Sequence, residues 1–91
     1  MKMDIDVQQV IYQIKKRFDA DVPPIVFDFR YDSEADVLDI RFREYSDSIS
    51  DAIDDEGMVI SIHDPKTDEI VGLEIMCFKE IKREWENNPV E

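Results

Sequence analysis

The segment VFDFRYDSEADVLDIRF, residues 26–42, decides the fold. Apolar and polar residues alternate on both sides of a turn rich in Asp and Ser, which is the pattern of a β-hairpin. One register places Asp28 opposite Arg41 and Arg30 opposite Asp39. A slip of two residues places Asp28 opposite Asp39, which is repulsive. The segment therefore predicts antiparallel strands over 26–31 and 37–42 in the first register.

The same alternation assigns the faces of this hairpin and predicts a second one. Phe27, Phe29 and Tyr31 fall on one face, which we expect to face the core. The second hairpin covers 58–76 and is connected by the turn-forming sequence DPKTDE. Matching the apolar positions across it predicts the pairs Met58–Ile75, Ile60–Leu73 and Ile62–Val71.

Helical periodicity lies on either side of the hairpins. Apolar residues recur along one stripe of 6–19, which predicts a helix capped by Asp4 or Asp6. A second stripe predicts a helix over 78–86. Between the hairpins, the Asp- and Ser-rich segment 44–56 is typical of a connection with a short strand or helical turn. This order predicts a single α+β domain, with an antiparallel sheet of about four strands covered on one face by both helices.

Composition narrows the classes of function. The 91 residues include 23 acidic and 11 basic side chains, a formal charge of −12, yet 43% are hydrophobic, enough for a core. Such a surface repels phosphate backbones and anionic lipids, so we expect neither direct nucleic-acid binding nor membrane binding. A single cysteine excludes a disulfide scaffold. The N-terminus lacks the basic-then-apolar order of a signal peptide, and we expect a cytoplasmic protein.

Two short motifs stand in the hairpins, a Tyr-Asp-x-Glu-x-Asp turn and a Gly-x-Glu-Ile strand. Their main residues are Tyr31, Asp32, Asp36, Gly72 and Glu74. In these motifs, over 31–76, the chain resembles a family of small prokaryotic domains called domain of unknown function 2283. That family usually has an aromatic residue where Asp39 stands, and a glycine in the second turn. The resemblance implies a compact domain without established catalytic residues and, because relatives are sometimes encoded beside small toxins, an antitoxin-like or regulatory role.

Two groups of carboxylates are candidates for binding a hard cation. Asp32, Glu34 and Asp36 lie in the first hairpin turn, and Asp64 and Asp68 lie in the second. If both turns project from corresponding ends of their hairpins, the groups converge on Ca²⁺ or Mg²⁺, which prefer oxygen ligands. The alternative is that these side chains bond to the backbone of their own turns.

The connection between the hairpins holds the largest uncompensated charge. It is a docking surface for a basic protein, a surface that mimics the phosphates of a nucleic acid, or a solvated loop that keeps the chain soluble. The acidic residues concerned are Asp47, Asp51, Asp54, Asp55 and Glu56.

Nucleophilic catalysis lacks its partner groups in this sequence. His63 is the only histidine, and the predicted hairpin places it at the opposite end from Cys77. Ser46, Ser48 and Ser50 have no histidine partner for a catalytic triad. We therefore expect no catalytic residues and no enzymatic activity.

These observations predict a small acidic protein-interaction module, non-catalytic and antitoxin-like or regulatory, that binds a basic protein partner and forms a homodimer. Large aromatic residues near chain ends are often found in interfaces, so we expect Phe78 or Trp85 near the dimer contact. No cofactor is expected under this hypothesis. The competing hypothesis is a divalent-cation-binding domain, or a metal-assisted hydrolase, built on the two acidic turns.

Overall fold

The computed structural model describes residues 5–90, which form two helices and five strands. The order along the chain is α1 Val7–Phe18, β1 Asp28–Asp32, β2 Val37–Arg41, β3 Ile49–Ala52, β4 Val59–His63, β5 Ile70–Ile75 and α2 Phe78–Asn87. The strands form one antiparallel sheet in the order β1-β2-β5-β4-β3. The predicted α+β class is confirmed. The sheet has five strands rather than about four, because part of the 44–56 connection pairs with β4 as β3.

The ends of α1 follow the capping signals in the sequence. The Asp6 carboxylate accepts the Gln9 N–H at 3.2 Å, and Asp19 closes the helix in a left-handed conformation (φ 52°). Asp4, the other predicted cap, lies outside the described residues. Within residues 5–90 no helix has both the length and the apolar character needed to cross a membrane.

One face of the sheet and both helices share a single core. Burying one large apolar side chain completely contributes ~1.5–3 kcal/mol, so this face supplies much of the stability. The sheet contributes Leu38, Ile40, Val59, Leu73 and Ile75, and the helices contribute Ile11, Ile14, Phe78, Ile81 and Trp85. Phe78 and Trp85 are only 1% and 8% exposed. Both side chains are therefore used in this core, and neither is exposed for the expected dimer contact; the dimer itself stays a prediction.

The first hairpin has the predicted register, with Asp28 opposite Arg41 and Arg30 opposite Asp39. The predicted faces fail at Phe27. Its N–H donates to the Arg41 carbonyl at 2.9 Å, although Arg41 is already paired with Asp28. Phe27 and Asp28 thus both face Arg41, which is the arrangement of a β-bulge. A bulge changes the direction of the side chain at the extra residue, here Phe27.

The bulge changes which side chains reach the core. Val26 packs against the core in place of Phe27, which is 58% exposed. Phe29 keeps the predicted face but is 47% exposed, because β1 is the edge strand there. The prediction that both phenylalanines belong to the core is therefore wrong.

The register of the second hairpin differs from the prediction by one residue over 59–62 and returns to the predicted one at His63, which pairs with Ile70 after a β-bulge. Val59 pairs with Ile75 and Ser61 with Leu73, so Val59 and Ser61 face the helices. Ile62 is buried on the opposite face of the sheet, where Tyr45 crosses above Gly72. The alternating apolar residues of β4 thus lie on the sheet face away from the helices, which is also partly covered. The three pairs predicted from this alternation are therefore wrong.

Gly72 makes that crossing possible. A Cβ at this position would lie 3.0 Å from the Ile40 carbonyl oxygen and 3.2 Å from the Tyr45 hydroxyl. Burial raises the pKa of Tyr45; Arg41, whose guanidinium lies 5.1 Å from the ring centre, opposes this shift, and Asp39 adds to it. Tyr45 is therefore a partly buried side chain of this face, with its hydroxyl beside Gly72.

We predict that Gly72→Ala destabilises the protein by about 1–3 kcal/mol, because overpacking forces the neighbouring strand or Tyr45 to move. Chemical denaturation measures the change. Adding Tyr45→Phe to Gly72→Ala removes one of the two close contacts and should recover part of the loss. An unchanged denaturation midpoint in Gly72→Ala would contradict the close approach.

Candidate functional site

The first hairpin turn is held by its own carboxylates. Asp32 Oδ1 accepts the N–H groups of Glu34 (3.0 Å) and Ala35 (3.2 Å), which forms an Asx turn. Asp36 ends the turn in a left-handed conformation, with φ 56°. The family-motif residue Asp32 is therefore a turn former.

Asp36 joins this turn to the start of α2. Its carboxylate accepts the Tyr31 hydroxyl at 2.6 Å and the Lys79 N–H at 3.2–3.3 Å, while its carbonyl accepts the Phe78 N–H at 3.0 Å. Cys77, at the N-cap position, makes no side-chain cap. Asp36 thus caps a helix that lies 43 residues further along the chain, where a negative charge also favours the helix dipole. We call this arrangement the Asp36 clasp.

The two acidic turns lie at opposite ends of the sheet. The β1–β2 turn adjoins the end where Leu38 pairs with Ile75, whereas the β4–β5 turn adjoins the end where His63 pairs with Ile70. The two groups therefore do not converge as expected. Each turn comes directly before β2 or β5, and these two strands are antiparallel neighbours, so the turns lie at opposite ends. Within residues 5–90, no three His, Cys, Asp or Glu side chains are placed to share a metal ion.

Asp64 and Asp68 are occupied within the second turn. Asp64 accepts the N–H groups of Lys66 (2.8 Å) and Thr67 (3.3 Å) and pairs with Arg43 at 2.5 Å. The Lys66 N–H, and then the Arg43 guanidinium, lower the pKa of the Asp64 carboxyl. Asp68 adopts φ 62°, and its exposed carboxylate lies 3.4 Å from His63. For Asp64 the geometry supports the alternative of bonding to its own turn, whereas the Asp68 carboxylate contacts His63 instead.

Ser61, His63 and Asp68 form a chain of contacts that the sequence did not indicate. Ser61 Oγ lies 2.7 Å from His63 Nε2, and His63 Nδ1 lies 3.0 Å from the Asp68 carbonyl oxygen. The order matches a Ser-His-Asp triad. Ser61, however, is 1% exposed and contacts the Asp51 carbonyl at 3.1 Å, inside the sheet. The contacts therefore join β3, β4 and the second turn, and a substrate has no access to Ser61 Oγ.

Two carboxylates meet on the sheet face away from the helices. Asp39 and Glu74 are direct partners across β2 and β5. Asp39 Oδ1 is buried and has no hydrogen-bond partner among the described residues. Glu74 has Asp39 and Ile60 as its cross-strand neighbours. The two acids form a like-charge pair across β2 and β5, while Arg30 lies opposite Asp39 on the β1 side.

The acidic connection divides into a structural and an exposed part. The Asp54 carboxylate accepts the N–H groups of Met58 (3.2 Å) and Val59 (2.9 Å), so Asp54 fixes the β3–β4 turn. Asp54 to Glu56 also line a groove of about 510 Å³ that contains the basic end of α1. The acidic residues that remain exposed are Asp47, Asp51, Asp55 and Glu56.

Exposed apolar side chains are concentrated on and just before β1. Ile25, Phe27 and Phe29 are 76%, 58% and 47% exposed, whereas β3 has one such residue, Ile49, at 55%. β1 and β3 are the two edges of the sheet, so each leaves half of its backbone groups without a strand partner among the described residues. Sequence patterning missed this surface because it assigned the phenylalanines to the core.

A family model described as Protein of unknown function (DUF2283) matches residues 28–79. This chain belongs to that family. No curated protein and no solved structure matches the chain. The DUF2283 match begins at the first residue of β1 and ends at Lys79, the last residue that the Asp36 clasp contacts. It therefore spans the whole sheet and the capped start of α2, while α1 lies outside it.

We predict that Asp36→Asn lowers the pKa of Tyr31. The hydrogen bond to Asp36 is the largest cause that raises this pKa, from 10.0 to about 12. Asn still accepts the Lys79 N–H and tolerates the left-handed conformation, so the fold should persist. Because the folded pKa lies above the unfolded one, the Tyr31 contribution to stability is complete below pH 10 and is lost as pH rises through 12.

Ultraviolet titration of the tyrosines, with Tyr31→Phe to assign the signal, measures the shift. Thermal melts between pH 10 and 12 measure the linked loss of stability, which should be smaller in Tyr31→Phe than in the natural chain. A Tyr31 pKa that is the same with Asp or Asn at position 36 would contradict the clasp.

We predict that Glu74→Gln stabilises the protein by ~0.2–1 kcal/mol, because it removes the charge opposite Asp39, leaves the Arg30–Asp39 pair intact and supplies a hydrogen-bond donor. Thermal denaturation at neutral pH measures the gain. Asp28→Asn is the matched control, since it removes one negative charge from the same face opposite Arg41. A loss of stability in Glu74→Gln equal to that in the control would show that Glu74 is favourably paired.

Proposed function

We propose that this DUF2283 protein is a non-catalytic protein-interaction module that binds a basic, extended segment of a partner protein along β3. The observation that supports it is the position of β3, an edge strand whose four residues are all exposed. An exposed edge accepts a further strand through backbone hydrogen bonds.

The backbone of β3 presents two residues outward. The Ile53 N–H donates to the Val59 carbonyl, and backbone groups of successive strand residues point to alternate sides. Ile49 and Asp51 therefore direct their N–H and C=O groups toward β4, whereas Ser50 and Ala52 direct theirs away from the sheet. An added strand pairs with these two residues.

The negative charge around β3 determines which kind of partner segment binds there. Asp47, Asp51, Asp55 and Glu56 are exposed around this edge. They favour a segment rich in Lys or Arg and repel other acidic chains, nucleic acid included. Sequestering a basic protein in this way is an antitoxin-like or regulatory role. The cation hypothesis loses its support, because it depended on convergence of the two hairpin turns.

We predict that a short peptide of alternating lysine and valine binds the chain in a salt-dependent manner. Changing Asp51, Asp55 and Glu56 to Asn or Gln should weaken binding about tenfold, from cross-strand charge pairs of ~0.2–1 kcal/mol each. Asp54 is left intact because it holds the β3–β4 turn. Isothermal titration measures the affinities.

Ala52→Pro provides the matched test of the backbone. It removes an outward N–H that the sheet does not use, so the fold should persist while peptide binding is lost. Asp28→Asn, on the opposite edge strand, is the charge control and should leave binding unchanged. Peptide affinity that survives Ala52→Pro would refute binding along β3.

A further inference from the structure

The opposite edge of the sheet has different chemistry from β3. β1 has three exposed apolar residues on it or just before it, and its charges alternate in sign rather than being uniformly acidic. A bare apolar edge of this kind promotes association with a further strand.

The outward backbone groups of β1 limit the possible registers. The Phe42 N–H donates to the Val71 carbonyl of β5, so Asp39 and Arg41 direct their backbone groups toward β1. Their partners Arg30 and Asp28 then face β2. Phe29 and Tyr31 therefore present free N–H and C=O groups at the edge, and any added antiparallel strand must pair with these two residues.

The sequence FDFRY, residues 27–31, is complementary to itself in one such register. When Phe29 faces Phe29 of a second copy, Asp28 lies opposite Arg30 of that copy, and Arg30 lies opposite its Asp28. Phe27 lies outside this ladder, because its N–H is already bonded to the Arg41 carbonyl. A shift of one step toward the turn instead places Arg30 against Arg30 and Asp28 against Asp32, which is repulsive. A shift of two steps places Arg30 against Asp32, whose carboxylate is already bonded within its own turn.

We propose that the chain forms an isologous homodimer in which β1 pairs antiparallel with β1 of a second copy, centred on Phe29. The two sheets join into one sheet of ten strands with a twofold axis between the phenylalanines. Exposed aromatic surface is buried and two Asp28–Arg30 pairs form across the axis. The inference concerns a different edge from the one proposed for the basic partner and does not rest on that function.

The charge pairs allow a test that identifies the register. In the centred register, Asp28→Arg sets Arg against Arg and Arg30→Asp sets Asp against Asp, so each variant alone should dimerise about tenfold more weakly. Mixing the two variants pairs Arg with Asp at both positions and should restore a dimer that contains one chain of each kind. The double variant Asp28→Arg/Arg30→Asp should restore the homodimer.

Sedimentation across protein concentrations measures the dimerisation constants, and native mass spectrometry identifies the mixed dimer. Circular dichroism melts establish that each variant is folded. Phe29→Pro, which removes an outward N–H and the central ring, should give a 10.8 kDa monomer. Ala52→Pro on the other edge is the matched control and should leave the dimer intact.

Two results would overturn the proposal. One is a natural chain that stays monomeric at concentrations on the order of 1 mM, since no self-association then exists. The other is a dimer whose stability is unchanged by Phe29→Pro and by both charge variants, because that dimer uses another surface. Neither result bears on peptide binding at β3, which the Ala52→Pro variant tests separately.

Discussion

The Asp36 clasp is the contact on which the arrangement of the layers depends. One carboxylate and its carbonyl hold the β1–β2 turn, the Tyr31 hydroxyl and the first N–H groups of α2 together. Because α2 is thereby fixed at the end of β5, Phe78 and Trp85 reach the core. Arg17 then completes the layer from α1, as it donates to the backbone carbonyls of Trp85 and Asn88. The Tyr-Asp-x-Glu-x-Asp turn, which carried the resemblance to the DUF2283 family, therefore has a structural role through Tyr31 and Asp36.

Charge and apolar alternation differed in how far they predicted the fold. The first hairpin was predicted in its correct register because Asp28 and Arg30 distinguish one pairing from the next. The second was wrong by one residue, since apolar residues occupy both faces of β4 and the core position opposite Leu73 is a serine. Only the Tyr45 crossing explains why Ile62 is buried away from the helices. Sequence patterning cannot supply such a tertiary contact.

The candidate site was less predictable than the fold for the same reason. Turn carboxylates look alike in a sequence whether they bind a cation or their own backbone, and the strand order decides between the two. With β2 beside β5, the acidic turns are at opposite ends, and Asp32, Asp36 and Asp64 each accept nearby N–H groups. The exposed aromatic edge was hidden by the bulge at Phe27, which no spacing rule reveals.

The net charge of −12 is distributed so that the two edges of one sheet behave differently. At β3 the strand is short, and exposed acidic side chains lie on it and beside it, so two copies repel each other there and a basic segment is favoured. At β1, the charges of Asp28 and Arg30 cancel each other. Aromatic side chains lie there beside backbone N–H and C=O groups that pair with no strand of the described sheet. Pairing between the β1 edges of two copies gives a closed dimer with twofold symmetry. Pairing of β1 with β3 of the next copy would instead add copies without end and form a filament. Under the two proposals made above, the acidity of β3 therefore keeps self-association at β1 and leaves β3 for a partner of opposite charge.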